Sequence, residues 1–543
     1  MTPGPEHLII APILIPFFAG ALMLVYDERQ RRAKLTISLV AVLASLLAAL
    51  ELLVRSKGSE LTGNNDIGFY LLGDWAAPWG IILVIDRLSA MMLVLTGLLA
   101  LPALIYAAAG WHRQGQHFHS MFQFLLMGLN GAFLTGDLFN LFVFFEVLLA
   151  ASYGLLLHGG GQLRVRAGLH YIAINLTGSL LFLIGVSLVY GATGTLNMAH
   201  LSNLVPFLSE GQRPLFHAGA ALMGLAFLIK AGIWPLSFWL PTAYMAGAAP
   251  VAAMFSIMTK VGVYVILRLS FLLFGAGAGA SAGFGGQVVI AGGMATVVFG
   301  FAGVLASQGL GRMAAHLVLV SSGTVLASAG FVLAGGSAQI LAGALFYLLS
   351  STLAISALFL LIEPMSREDG GIAALLALTA DAYGLDDREE ERTQEAGLVI
   401  PGTMTVLGLA FGACVLVLAG LPPLSGFIGK IGILQGLMAG GTTTPGLAWG
   451  FVALLVLSGF ATLAGLVRVG IQTFWGGEST PPRVLALEIA PVIALIGLIV
   501  FLTIKADVAL GYMRETARAL LQPSIYAEGV LGAPRAADQE DGQ

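Results

Sequence analysis

The sequence predicts an all-α polytopic membrane protein, and three observations carry that expectation. Of its 543 residues, 58% are hydrophobic and only 10% charged, with a mean hydropathy of +0.92, far from the balance of a soluble domain. Apolar runs long enough to cross a hydrocarbon core recur along almost the whole chain. These runs are unbroken rather than alternating in ten-residue segments, so helices and not barrel strands are expected to do the spanning.

About fourteen such runs follow one another: 8–26, 34–54, 81–108, 118–136, 138–158, 168–191 and 215–235, then 250–274, 286–306, 312–335, 338–363, 399–438, 448–472 and 485–509. Residues Met1 to His7 carry no Lys or Arg ahead of the first run, and no small-residue cleavage site follows it, so that run is expected to stay in the membrane. Arg29, Arg31, Arg32 and Lys34 after the first span, and Arg164 and Arg166 after the fifth, place those connections in the cytoplasm and both chain ends outside. On that orientation the 364–398 loop, with Asp386, Asp387, Glu389, Glu390 and Glu391, is cytoplasmic and reads as a solvated acidic stretch. Residues 528–543 are small and polar and are expected to lack structure.

Two spans look interrupted. In the seventh, Lys230 is followed by Trp234-Pro235-Leu236-Ser237; in the twelfth, Leu421-Pro422-Pro423-Leu424-Ser425-Gly426 precedes Lys430. Proline removes a backbone donor and clashes with the preceding turn, so both spans should break or kink near mid-membrane. Paired broken helices in two halves mark the ion site of transporters built from repeats, although a simple proline kink would read the same way.

Four charges sit inside otherwise apolar spans: Glu146, Lys230, Lys260 and Lys430. Each costs about 2.5–3.5 kcal/mol at the centre of a spanning helix, roughly 10 kcal/mol together, which is tolerable only if they meet inside the protein. Titratable groups at that depth point to a path for ions or protons. Glu146 has no charged neighbour within a helical turn, so its partner must come from another helix, and Lys230 is the natural candidate. Burial disfavours the charged form of each and pairing opposes that, so opening the pair could load or release a proton; a static ion pair is the plainer alternative. Ser256, Lys260, Tyr264 and Arg268 recur every four residues and share one slowly rotating helix face, able to hydrate and pass a proton, or to make interhelical hydrogen bonds only. His316, four residues after Arg312, is either a further carrier or a packed histidine. Asp86 and Arg87 read as an interfacial anchor, and Asp137 as a helix cap.

Other chemistries find little support. Net charge is −4, with no basic excess to suggest nucleic acid as a partner. The single cysteine, Cys414, lies in an apolar run and allows neither an intrachain disulfide nor a cysteine metal or iron–sulfur site. No cofactor and no metal are expected.

Three strings carry a family resemblance: Trp-Pro-Leu-Ser-Phe-Trp-Leu-Pro-Thr-Ala after Lys230, Met-Thr-Lys-Val-Gly-Val-Tyr at 258–264, and Gly-Leu-Pro-Pro-Leu-Ser-Gly-Phe-Ile-Gly-Lys ending at 430. Over residues 8–475 the chain resembles the antiporter-like subunits, which comprise the proton-translocating subunits of respiratory complex I and the large subunits of Mrp/Pha multisubunit monovalent cation/proton antiporters. Tyr-Leu-Leu-Gly-Asp-Trp-Ala-Ala-Pro-Trp-Gly-Ile at 70–81, Asp86-Arg87-Leu88-Ser89 and Leu-Val-Ser-Ser-Gly-Thr at 319–324 look most like the D-type branch of the Mrp/Pha subunits.

The resemblance implies two inverted five-helix repeats, spans four to eight (within 111–274) and nine to thirteen (within 275–475), after three N-terminal helices (1–110) and before a last helix and tail (476–543). It implies Glu146 and Lys230 as a modulating pair, Lys260 as central proton carrier and Lys430 as terminal carrier. Where relatives often carry a histidine in span eleven, this chain has Ser350, so the route should depend more on water, with His316 as a possible substitute. The expected partners are the other subunits of a hetero-oligomeric complex in a bacterial inner membrane, with K+ or Na+ exchanged for protons. The alternatives are a proton-pumping subunit of a complex I-like oxidoreductase or a membrane-bound hydrogenase, or a non-transporting scaffold.

Overall fold

The computed structural model describes residues 5–57, 67–366, 402–439, 445–475 and 484–535. Nineteen α-helices account for most of them. The first five are α1 (Ala11–Val25), α2 (Arg31–Arg55), α3 (Arg87–Ala107), α4 (Phe118–Leu134) and α5 (Leu138–Leu157). Next come α6 (Gln162–Thr193), the short α7 (Met198–Leu204), α8 (Arg213–Ala231), the short α9 (Trp239–Ala246) and α10 (Ala249–Phe274). The second half holds α11 (Gly286–Ala306), α12 (Leu310–Leu333), α13 (Ala338–Ser366), α14 (Thr403–Ala419), α15 (Ser425–Met438) and α16 (Pro445–Trp475). The chain closes with α17 (Ala486–Ile504), α18 (Ala506–Leu520) and α19 (Pro523–Leu531).

Eleven of the helices are long and apolar enough to cross a membrane, and α1 and α14 are shorter apolar helices. The polytopic all-α expectation therefore holds, while the count of fourteen spans stays an expectation. Helix starts follow local chemistry. Asp86 caps α3, accepting from the Ser89 backbone N–H at 2.9 Å while the Ser89 hydroxyl accepts from the Asp86 N–H at 2.8 Å, a reciprocal box that satisfies two otherwise free donors. Asp137 caps α5 in the role expected of it, accepting from the N–H groups of Phe139 and Asn140, each at 2.9 Å.

Several boundaries differ from the sequence reading. The run 81–108 is not all helix: Ile82–Ile85 pairs antiparallel with Gly68–Leu71 in a two-stranded hairpin, and the helix begins only at Arg87. The tail expected to be unstructured from 528 is instead helical as far as Leu531, because Tyr526, Ala527 and Val530 give α19 an apolar side that is buried. Lys34, one of the positive residues that set the expected orientation, is buried and bound to Glu28 at 2.6 Å. The acidic patch at 386–391 lies outside the described residues.

At the centre stand α10 and α12, each buried over 94% of its most apolar stretch, with α13 beside them at 89%. Helix α13 packs on α15 through small residues. A Cβ on Gly343 would stand 2.5 Å from the Ile433 backbone nitrogen, and one on Gly429 would stand 2.8 Å from Tyr347 Cα, so only glycine allows the two backbones to approach this closely.

Candidate ion path

Both interrupted spans break as the prolines require, and they break alike. Helix α8 ends at Ala231 with Gly232 left-handed at φ 76°, and α14 ends at Ala419 with Gly420 left-handed at φ 76°. Each glycine closes its helix in a conformation other residues adopt at a cost. The strings Ala231-Gly232-Ile233-Trp234-Pro235-Leu236-Ser237 and Ala419-Gly420-Leu421-Pro422-Pro423-Leu424-Ser425 share alanine, glycine, proline, leucine and serine in register. After the break the chain resumes as α9 in the first half and as α15, carrying Lys430, in the second.

The three lysines are buried, with 1%, 0% and 6% of Lys230, Lys260 and Lys430 exposed. None is splayed toward lipid, which removes the cost of leaving an ammonium in hydrocarbon without partners. Lys260 donates to two hydroxyls of α12, Ser321 at 2.8 Å and Ser322 at 3.1 Å. Ser321 shares a 2.8 Å hydrogen bond with Ser351 on α13. One residue back on α13, Ser350 shares a 2.7 Å hydrogen bond with Ser425, the first residue of α15. Lys430, further along α15, donates to the Ala419 carbonyl at 2.9 Å. All five serines are buried. Two hydroxyl pairs, Ser321–Ser351 and Ser350–Ser425, thus lie on α12, α13 and α15, the first bonded to Lys260 and the second ending on the helix that carries Lys430.

Glu146 and Lys230 do not touch. The Glu146 carboxylate accepts from the Ser179 hydroxyl of α6, while Lys230 donates to the Tyr171 hydroxyl and the Asn175 carbonyl oxygen, both at 3.4 Å. Tyr171, Asn175 and Ser179 lie four residues apart on α6, one above the other. The expected direct pair is replaced by a ladder of neutral polar groups standing between acid and base.

The polar stripe on α10 also divides. Ser256 turns back onto the Ala253 carbonyl at 2.7 Å. Tyr264 donates to the Phe133 carbonyl at 2.7 Å and accepts from Arg268 at 3.3 Å, and Arg268 holds both oxygens of Asp86 at 2.6 and 2.7 Å. Asp86 is therefore an internal partner as well as a cap. His316 faces the α11 seam: its Nδ1 lies 2.8 Å from the Arg312 carbonyl and its ring packs on Phe299. It is in neither of the two hydroxyl pairs near Lys260 and Lys430.

Sequence reasoning missed Ser321, Ser322, Ser351, Ser425, Tyr171, Asn175 and Ser179 as site residues. A signal existed: Ser321-Ser322 and Ser350-Ser351 are adjacent serine pairs deep in apolar runs, where at least one hydroxyl must point away from its own helix surface toward a neighbour.

A bundle whose helices break beside buried lysines, with buried serine hydroxyls on the helices around them, defines a polytopic membrane protein with a polar interior. Residues 135–458 match the family described as "NADH:quinone oxidoreductase/Mrp antiporter, TM". The chain is 54% identical to a Rhizobium meliloti protein named as the D-type subunit of a probable K(+)/H(+) antiporter, over 99% of this chain and all of that one. It is 33% identical to the D-type subunit of the Na(+)/H(+) antiporter of Bacillus subtilis, over 97% of this chain and 99% of that one. Among solved structures, a chain of the Mrp complex from Dietzia superposes with a TM-score of 0.79 at 26% identity, covering 97% and 99% of the two chains. A chain of respiratory complex I from Thermus thermophilus, at 22% identity and a TM-score of 0.74, shares the fold. The chain belongs to the NADH:quinone oxidoreductase/Mrp antiporter membrane-subunit family.

Proposed function

We propose that this chain is the D-type membrane subunit of a multisubunit monovalent cation/proton antiporter in a bacterial inner membrane, working with its partner subunits and exchanging K+ or Na+ for protons. Relatives named as D-type subunits of K+/H+ and Na+/H+ antiporters, matched over nearly their full length, support the antiporter over an oxidoreductase. The observation that supports the mechanism is the pair of buried hydroxyl contacts, Ser321–Ser351 and Ser350–Ser425, on the helices between Lys260 and Lys430. A protonated Lys260 gives its proton toward Ser321, whose oxygen accepts as its own O–H donates to Ser351. Ser350 and Ser425 form the next hydroxyl pair, and water bridges the step from Ser351 to Ser350 and the step from Ser425 to Lys430. Glu146 acts on Lys230 across the α6 ladder rather than through contact. The driving force suffices, since one charge crossing 100 mV gains about 2.3 kcal/mol.

Everted vesicles containing the intact complex provide the test. Lys260→Ala should abolish cation-dependent dequenching of a pH dye while the partner subunits still co-purify. Wild-type dequenching in that variant would refute the reading.

A further inference from the structure

The end of α14 offers more than a resting place for Lys430. In an unbroken helix the carbonyls of Leu418 and Ala419 would accept from the residues four positions on, which here are Pro422 and Pro423, and neither has an N–H. The carbonyls before them are claimed, because Leu416 accepts from Gly420 and Leu421, and Val417 accepts from Gly420. Among the described residues, no backbone N–H reaches the Leu418 or Ala419 carbonyl, at the terminus that carries about half a negative charge. Ala419 is met by the Lys430 ammonium, and among the described residues that carbonyl is the only protein acceptor for three N–H donors.

Space around this contact is kept by glycines. A Cβ on Gly459 would lie 2.6 Å from the Ala419 oxygen and 3.4 Å from Lys430 Nζ, and one on Gly420 would lie 2.6 Å from Lys430 Cδ. Half-helix carbonyl ends at mid-membrane are chemistry that holds a partly dehydrated alkali cation in transporters, because backbone oxygens replace its hydration shell. Two carbonyl dipoles and about half a negative charge at the helix end favour a cation of low charge, which suits a monovalent ion. We propose that the carbonyl end of α14 is a binding site for K+ or Na+, and that the charged Lys430 side chain is its built-in competitor. Protonation of Lys430 then expels the cation, and departure of the proton readmits it, so exchange is coupled at one place. This assignment rests on the antiport reading above and specifies where its cation binds.

The experiment is equilibrium binding of radioactive rubidium ion to the purified intact complex at fixed pH. Lys430→Ala removes the competitor and should tighten rubidium binding by about tenfold near neutral pH, whereas Gly459→Ala crowds the Ala419 oxygen and should weaken it by about tenfold. In the wild type, binding should weaken as pH falls and Lys430 holds its proton; in Lys430→Ala that component of the pH dependence should vanish. Unchanged rubidium binding in Lys430→Ala overturns the site. If Gly459→Ala fails to co-purify with its partners, the Lys430→Ala arm decides alone. Unchanged binding combined with a transport-dead Lys260→Ala would remove the cation site and leave the proton path standing; full transport in Lys260→Ala would remove the antiport reading itself.

Discussion

Ser350 is fully buried and shares its hydroxyl with Ser425 at 2.7 Å, so on the proposed route a hydroxyl that can only relay stands where the family resemblance leads us to expect a titratable ring. Such a hydroxyl passes a proton only while it accepts another, which would tie the proposed route to its neighbours more tightly than a histidine would. The lysines and Glu146 were legible from sequence because an unpaired charge in hydrocarbon is too costly to be accidental. The serines were not, because a serine in a helix can bond its own preceding turn, as Ser351 does to the Tyr347 carbonyl at 2.7 Å while also meeting Ser321. Asp86 was read as an interfacial anchor for a related reason: its partner Arg268 lies 182 residues away in the chain. Asp86→Asn leaves the Arg268 guanidinium with a neutral partner in a nearly buried site. Loss of one member of a buried pair costs about 3–5 kcal/mol. The expected result is a lowered melting temperature of the detergent-purified complex, measured by fluorescence-detected size exclusion; an unchanged melting temperature would show that the pair is solvated.

Broken helices were visible in the chain because proline deletes a donor wherever it falls, and Gly232 and Gly420 show how the deletion is accommodated. Less visible was the β-strand at Ile82–Ile85, since a four-residue apolar run beside a longer one has no periodicity of its own to separate strand from helix. The Asp-Arg-Leu-Ser string at 86–89 holds the start signal, an acidic cap with serine three residues on, that the reading from 81 passed over. At this scale the account predicts that Pro423→Ala harms transport by supplying a backbone N–H within reach of the Ala419 carbonyl, in competition with Lys430. Dye dequenching in everted vesicles should fall by about tenfold with the complex assembled. Undiminished dequenching would mean that the open carbonyl has no role.

Across the whole molecule, α18 and α19 form a strap where sequence reading saw only the end of a span to 509, an unassigned tail, and disorder from 528. Tyr512 on α18 donates to the Arg87 carbonyl at 2.7 Å, and the Tyr526 ring of α19 lies 5.1 Å from the Arg268 guanidinium. The strap therefore covers the Asp86–Arg268 pair and holds the ends of α3 and α10 together. It was hard to foresee because its packing surface is supplied by helices distant in sequence. Truncation after Ile504 should lower the melting temperature of the purified complex by at least as much as Asp86→Asn, while Lys260 keeps its hydroxyl partners. The central claim is that protons move between Lys260 and Lys430 over buried hydroxyls, and it is tested most directly by proton flux through the reconstituted complex carrying Ser350→Ala together with Ser351→Ala. A fall in flux of about tenfold or more, with assembly intact, is the result expected; flux at the wild-type rate would contradict it.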